Sequence, residues 1–158
     1  MKKIFLLSII LGLLNYNGYA QKSTPDKKIY KVNKTDSEWK TQLSSLEYHV
    51  LREGGTERAF SSSLNDHYKK GIYACKACNT PLFKSENKYD SGTGWPSFDR
   101  EIKGNVIISQ SGSDYYGWEE HCATCGGHLG HVFNDGPKHT TGKRHCINGV
   151  ALKFIESK

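Results

Sequence analysis

Five cysteines carry most of the chemistry this sequence offers, and their spacing sorts them into four and one. Cys75 and Cys78 form one Cys-x-x-Cys knuckle, Cys122 and Cys125 form a second, and Cys146 stands alone. A CxxC turn presents two thiolates from one tight bend, and two such turns supply the tetrahedral sulfur set of a structural zinc. Tetrahedral sulfur also accepts iron, and an oxidising compartment keeps disulfides or a redox-active pair among the alternatives. Paired knuckles favour metal, with zinc ahead of iron. Four protein ligands leave no open coordination position, so such a metal holds the fold and does no chemistry. Gly126-Gly127 directly after the second knuckle lets the chain turn sharply there.

Cys146 is then the thiol left to react. Arg144 and His145 precede it, and positive charge nearby is expected to stabilise a thiolate and lower its pKa. The opposing reading is a buried cysteine that acts only as a small hydrophobe. His128 and His131 flank Leu129-Gly130, where the glycine permits a bend that brings both rings to one side. A cysteine–histidine set of this kind serves a nucleophile with its acid–base partner, or a catalytic metal held by two histidines and a cysteine. Two histidines hydrogen-bonded to backbone are the third option, and the local sequence leaves all three open.

These residues need a scaffold, and its signals fall into two regions. Thr35-x-x-Glu38 and Ser44-x-x-Glu47 are capping boxes, which predicts two short helices instead of one long one. Trp39, Leu43, Leu46 and Val50 recur at helical spacing, and Gly54-Gly55 ends the pattern. From Gly71 onward the pattern is that of strands and turns: Ile72-Tyr73-Ala74 runs into the first knuckle, and residues 105–110 and 150–155 are short β-branched or alternating runs. Val150, Leu152 and Phe154 are expected to share a face. No long helix separates the strands, so the sheets are expected to be antiparallel. The fold class is mainly β, with short N-terminal helices and a four-cysteine metal knuckle.

Four stretches together resemble the B-type methionine sulfoxide reductases, which act on the R epimer. They are Tyr48 to Glu57 (YHVLREGGTE), Gly92 to Phe98 (GTGWPSF), Gly126 to Pro137 (GGHLGHVFNDGP) and Arg144 to Asn148 (RHCIN). The match runs from Trp39 to Phe154, with the motifs in the family's order. The resemblance implies a β-tent or barrel-like arrangement of the sheets, Cys146 as the nucleophile on the sulfoxide sulfur, and His128, His131 and Asn148 as the groups that bind and protonate the departing oxygen. It also implies that Trp95, and secondarily Phe133, pack against the substrate methyl, while Arg144 tunes the thiolate. Sulfoxide oxygen leaves poorly until protonated, which suits a histidine near neutrality. An aromatic wall opposite hydrogen-bond donors would select one epimer.

The chain departs from the family pattern at telling positions. Many members carry a resolving cysteine two residues before the tryptophan, and here that residue is Thr93. The sulfenic acid left on Cys146 is therefore expected to be reduced by an external thiol, a thioredoxin-like protein or a small dithiol. The family's usual tyrosine before the cysteine is His145, its serine after the asparagine is Gly149, and a proline expected after Arg58 is Ala59.

The N-terminal end speaks to location. Lys2 and Lys3 precede the apolar run Ile4 to Leu14, and Gly18-Tyr19-Ala20 provides small residues at a cleavage site. This is the layout of a signal peptide over residues 1–20, too short for a membrane span of about 20 apolar residues. Residues 21–34 read as a flexible basic leader with Lys22, Lys27, Lys28, Lys31 and Lys34, and residues 35–158 as one domain. The expectation is a periplasmic or secreted monomer with no nucleic acid and no stable membrane insertion, repairing oxidised exported proteins. The net charge of +6 suits a competing function, a zinc-ribbon module that binds nucleic acid without catalysis, but that reading finds no use for Cys146, His128 or His131. A cysteine hydrolase built on Cys146 and a histidine base is a further alternative, though no oxyanion hole is evident.

Overall fold

A computed structural model describes residues 30–157; the expected signal peptide and the first part of the basic leader lie outside the described residues. Two short helices come first among the described residues, α1 (Asp36–Gln42) and α2 (Ser45–Glu53). Each has its complete capping box: Thr35 and Ser44 accept from the N3 amides, while Glu38 and Glu47 reach back to the cap amides. Gly54 ends α2 in the left-handed conformation, at φ 72°, which glycine adopts without steric cost. The break at Leu43–Ser44 resets the helical face. Trp39, Leu43 and Val50 are buried as their spacing implies, but Leu46 is 49% exposed and Leu51 takes its place in the core.

Nine strands follow among the described residues, all paired antiparallel. They are β1 (Gly71–Cys75), β2 (Pro81–Lys84), β3 (Lys88–Tyr89), β4 (Ser97–Phe98), β5 (Val106–Ser113), β6 (Gly117–Cys122), β7 (His128–Phe133), β8 (Arg144–Ile147) and β9 (Leu152–Glu156). A three-stranded sheet has the order β2-β1-β9, and a six-stranded sheet the order β3-β4-β8-β7-β6-β5. The run expected to begin a strand at Val150 instead forms a 3-10 turn, Gly149–Ala151, before β9. No helix among the described residues is long and apolar enough to cross a membrane.

One core joins the helices to both sheets: Trp39, Val50 and Leu51 meet Tyr73, Leu82, Phe83, Phe98, Leu129, Ile147 and Leu152. Phe83 and Phe98 stack with centroids 4.4 Å apart. Residues directly opposite in an antiparallel pair point to the same side. In the large sheet Glu119, His131, Cys146 and Ser97 lie opposite one another in turn, and so share one face. The adjacent row, Val132, His145 and Phe98, faces the core. Of the basic leader, residues 30–34 are described. Val32 donates its amide to Thr124 O at 2.9 Å, and the Tyr30 ring lies over Gly126, so this segment runs along the second knuckle.

Candidate active site

The sheet brings the lone cysteine beside the two histidines. Cys146 on β8 stands opposite His131 on β7. His128 and His131 are three apart, and strict alternation would send them to opposite faces. The register shift between β6 and β7 solves this. Glu120 pairs with Gly130 but His121 pairs with His128, so Leu129 is an extra residue in β7. That bulge returns His128 to the face of His131, and their rings meet edge to face with centroids 5.5 Å apart. Gly130 is required here, because a Cβ would collide with the carbonyl oxygen of Cys146.

A cleft of about 420 Å³ opens on this face, lined by Thr56, Trp95, Gly130, His131, Phe133, Cys146 and Asn148. His131, Asn148, Trp95 and Phe133 line the cleft with Cys146, while His128 and Arg144 do not. His128, 4% exposed, packs behind His131; its Nδ1 is held by Glu119 Oε1 at 2.7 Å, and its Nε2 has no hydrogen-bond partner among the described residues. Burial pushes His128 below the ordinary histidine value, against the opposing pull of Glu119. Arg144 forms a bidentate pair with Asp135, both contacts 2.8 Å, and its guanidinium stacks on Phe133 at 4.2 Å.

Cys146 sits in company unlike that expected from its neighbours in sequence. His145 points to the other side of β8, fully buried, where its Nδ1 lies 2.7 Å from Glu120 Oε1. It is therefore not a positive neighbour of the thiol. Burial raises the Cys146 pKa, and the charge of Arg144 with hydrogen bonds from Thr93, Arg144 and Ser97 only partly offsets it. The expected lowering is reversed because desolvation disfavours the thiolate more than one guanidinium favours it. Thr93 Oγ1 is 3.8 Å from the sulfur and continues into a hydroxyl chain through Ser91 to Ser97, both links 2.8 Å.

Glu57, which no local pattern singles out, ties the cleft walls together. Its amide donates to Asn148 Oδ1 at 2.9 Å, and its carbonyl accepts from Trp95 Nε1 at 3.1 Å. Its carboxylate accepts the amides of Gly149 and Val150 at 2.5 and 2.9 Å. Asn148 Nδ2 spends one hydrogen on Leu129 O, at 3.0 Å. The second is left for a ligand. Only the run Thr56-Glu57 within the family motif hinted at this residue, because its partners lie 38 to 93 positions away.

The two knuckles converge apart from this cleft. Asn79 and Gly126, each following the second cysteine of its knuckle, are left-handed at φ 60° and 69° and donate to the carbonyls of Cys75 and Cys122. The four Sγ atoms lie within 4.8 Å of one another, with Cys75–Cys125 at 3.7 Å and Cys78–Cys122 at 3.5 Å. A zinc–sulfur bond of about 2.3 Å sets tetrahedral sulfurs about 3.8 Å apart, so the residues fit a metal ion. Their hydrogen bonds with Cys122 push Cys75 up and pull Cys78 down. Four thiolates so crowded need a cation between them.

With this geometry in view, the chain can be set beside known proteins. It matches the SelR domain model over residues 43–156. It is 50% identical over 128 residues to the peptide methionine sulfoxide reductase MsrB of Leptospira interrogans, covering 79% of this chain and 96% of that protein. The MsrB of Agrobacterium fabrum is 48% identical over 126 residues, 78% of this chain and 93% of its own. The methionine-R-sulfoxide reductase B3, mitochondrial, of Mus musculus is 46% identical over 139 residues, 87% of this chain and 54% of its own. A core domain matched almost from end to end, with Cys146, His131 and Trp95 meeting at one cleft, places the chain in the SelR family of B-type methionine sulfoxide reductases.

Proposed function

We propose that this oxidoreductase reduces the R epimer of methionine sulfoxide in peptides or proteins through a sulfenic acid on Cys146. The observation that carries the reading is the convergence of Cys146, His131, Asn148 and Trp95 on one cleft. The Cys146 thiolate attacks the sulfoxide sulfur. His131, with Cys146 directly opposite in the sheet, and the remaining N–H of Asn148 receive the oxygen, and a proton makes it a leaving group. The sulfoxide becomes a thioether and Cys146 takes the oxygen as its sulfenic acid. Trp95, its indole N–H engaged by Glu57, offers a fixed aromatic wall to the methyl group, and Phe133 completes it. Interchanging methyl and oxygen would put the oxygen against that wall, which supports selection of one epimer. His128, held by Glu119 at 2.7 Å, packs edge to face against the His131 ring and keeps it in place. Arg144 partly offsets the desolvation of the thiolate.

Regeneration consumes two external thiols per turnover, yielding a disulfide and water. Support comes from Thr93 in the resolving position and from the gathering of the other four cysteines in one cluster. We propose zinc as the ion in that cluster, holding the fold. The setting among exported proteins rests on the sequence of residues 1–20 alone. A zinc-ribbon module without catalysis would need the cluster but gives the cleft no purpose.

A single turnover tests this mechanism. Metal-loaded, reduced protein mixed with methionine R-sulfoxide and no reductant should release one methionine per chain and leave one dimedone-reactive sulfenic acid at Cys146. An intramolecular disulfide in the intact-mass spectrum would show internal resolution and contradict the external-thiol step.

A further inference from the structure

Behind His131 lies a second group of ligands that sulfoxide reduction does not call for. Glu119 and His121 share one face of β6, and the β7 bulge brings His128 opposite His121. One carboxylate oxygen, Glu119 Oε1, is 2.7 Å from His128 Nδ1 and 3.3 Å from His121 Nε2. The ligand atoms of all three residues lie within 4.8 Å of one another. The two rings stand edge to face with centroids 5.9 Å apart.

We propose that Glu119, His121 and His128 form a binding site for a divalent transition-metal cation, and that occupancy switches the reductase off. Two imidazoles and a carboxylate with one side open make a donor set typical of zinc and its first-row neighbours. Metal–nitrogen and metal–oxygen bonds of about 2.0–2.1 Å put tetrahedral ligand atoms about 3.3 Å apart, so the 3.3 Å separation from His121 already fits and the 2.7 Å separation from His128 must open by about 0.6 Å. Access is graded to suit: the side chain of His128 is 4% exposed, His121 27% and Glu119 40%. A cation enters from the side of His121 and Glu119 and keeps water there. This set differs from the four-cysteine cluster in kind, because nitrogen and oxygen replace thiolate.

Binding bears on activity through one ring. A nitrogen that ligates a metal cannot carry a proton, so His128 Nδ1 gives up its hydrogen bond to Glu119 and the ring keeps its proton on Nε2. Drawing His128 toward the metal and away from its present contact with Glu119 shifts the ring that packs against His131, centroids 5.5 Å apart, and so displaces the residue that stands opposite Cys146. The inhibitory consequence rests on the mechanism proposed above, whereas the binding does not.

The test uses the full chain with zinc already in the four-cysteine cluster. Cys146→Ser protein, which removes the competing thiol, is titrated with Co2+ and followed by calorimetry and visible absorption. One further cobalt per chain, with weak d–d bands and no thiolate charge transfer, is expected, and His121→Asn should weaken it at least tenfold. In the protein with Cys146 intact, Zn2+ should inhibit turnover reversibly, and His121→Asn should keep the metal-free rate while needing at least tenfold more zinc for inhibition. His121→Gln and an unchanged melting temperature control for folding. No additional cobalt, cobalt bands dominated by thiolate, or affinity and inhibition indifferent to His121 would overturn the proposal. If the chain fails to reduce sulfoxides at all, the mechanism above fails, and the cobalt titration still decides the site.

Discussion

Burial of Cys146 in an aromatic-walled cleft has a direct consequence for its reactivity. Desolvation raises its pKa and Arg144 pulls the other way. At any pH below that raised value the thiolate fraction is smaller than for a free cysteine, whose pKa is about 8.5. The rate of Cys146 alkylation by iodoacetamide should therefore rise with pH around a midpoint above 8.5. Arg144→Ala removes the offsetting charge and should move the midpoint higher still. A midpoint unchanged or lowered in Arg144→Ala would show that the guanidinium, engaged with Asp135 and Phe133, does not act on the sulfur. That Cys146 stands outside the knuckles was legible from cysteine arithmetic alone, since four of five fall into them. Its electrostatic surroundings were not. His145 is adjacent in sequence yet faces the core, as alternation along a strand requires, and Glu57 acts over separations that no local pattern reveals.

At the scale of elements, the large sheet backs the cleft with a core face that carries a buried glutamate–histidine pair. Glu120 and His145 are both fully buried, 2.7 Å apart, and bridge β6 and β8 across Gly130 of β7. Burial raises the Glu120 pKa and the bond to His145 resists it. Removing one partner of a buried pair costs about 3–5 kcal/mol, while replacing both by apolar groups is often neutral. His145→Phe should therefore destabilise the protein in urea unfolding by about 3 kcal/mol. Glu120→Leu combined with His145→Phe should be more stable than His145→Phe alone. Additive losses in the double variant would mean that the two side chains do not act as a pair. The helices were readable because capping boxes are local signals. Leu46 was misplaced because the turn between the boxes resets the helical phase, and β3 and β4, two residues each, exist only through pairing with distant strands. The β7 bulge was foreshadowed only by the glycine between the histidines.

For the molecule as a whole, the four-cysteine cluster ties the end of β1 to the end of β6, two segments far apart in sequence, against a core that includes Cys75, Cys122 and Cys125. Apparent zinc binding in small structural sites reaches about 10–16 kcal/mol, comparable to the entire stability of a domain, about 5–15 kcal/mol. Stripping the metal with a chelator should lower the thermal midpoint by at least about 10 °C, or abolish cooperative unfolding, and one equivalent of zinc should restore it. A chelated protein that melts as before would remove the cluster from the account of the fold. Antiparallel sheets and the paired knuckles were both plain in the sequence, whereas the two-sheet order depends on β9 returning to β1, a long-range closure.

The central claim is that Cys146 reduces one epimer of methionine sulfoxide. Its most direct measurement is dithiothreitol-dependent reduction of dabsyl-methionine R-sulfoxide and S-sulfoxide by the metal-loaded protein, beside Cys146→Ser. Turnover of the R epimer alone is predicted, with at least a thousandfold loss in the variant, on the order of a nucleophile's contribution. Equal turnover of both epimers, or activity that survives in Cys146→Ser, would contradict it.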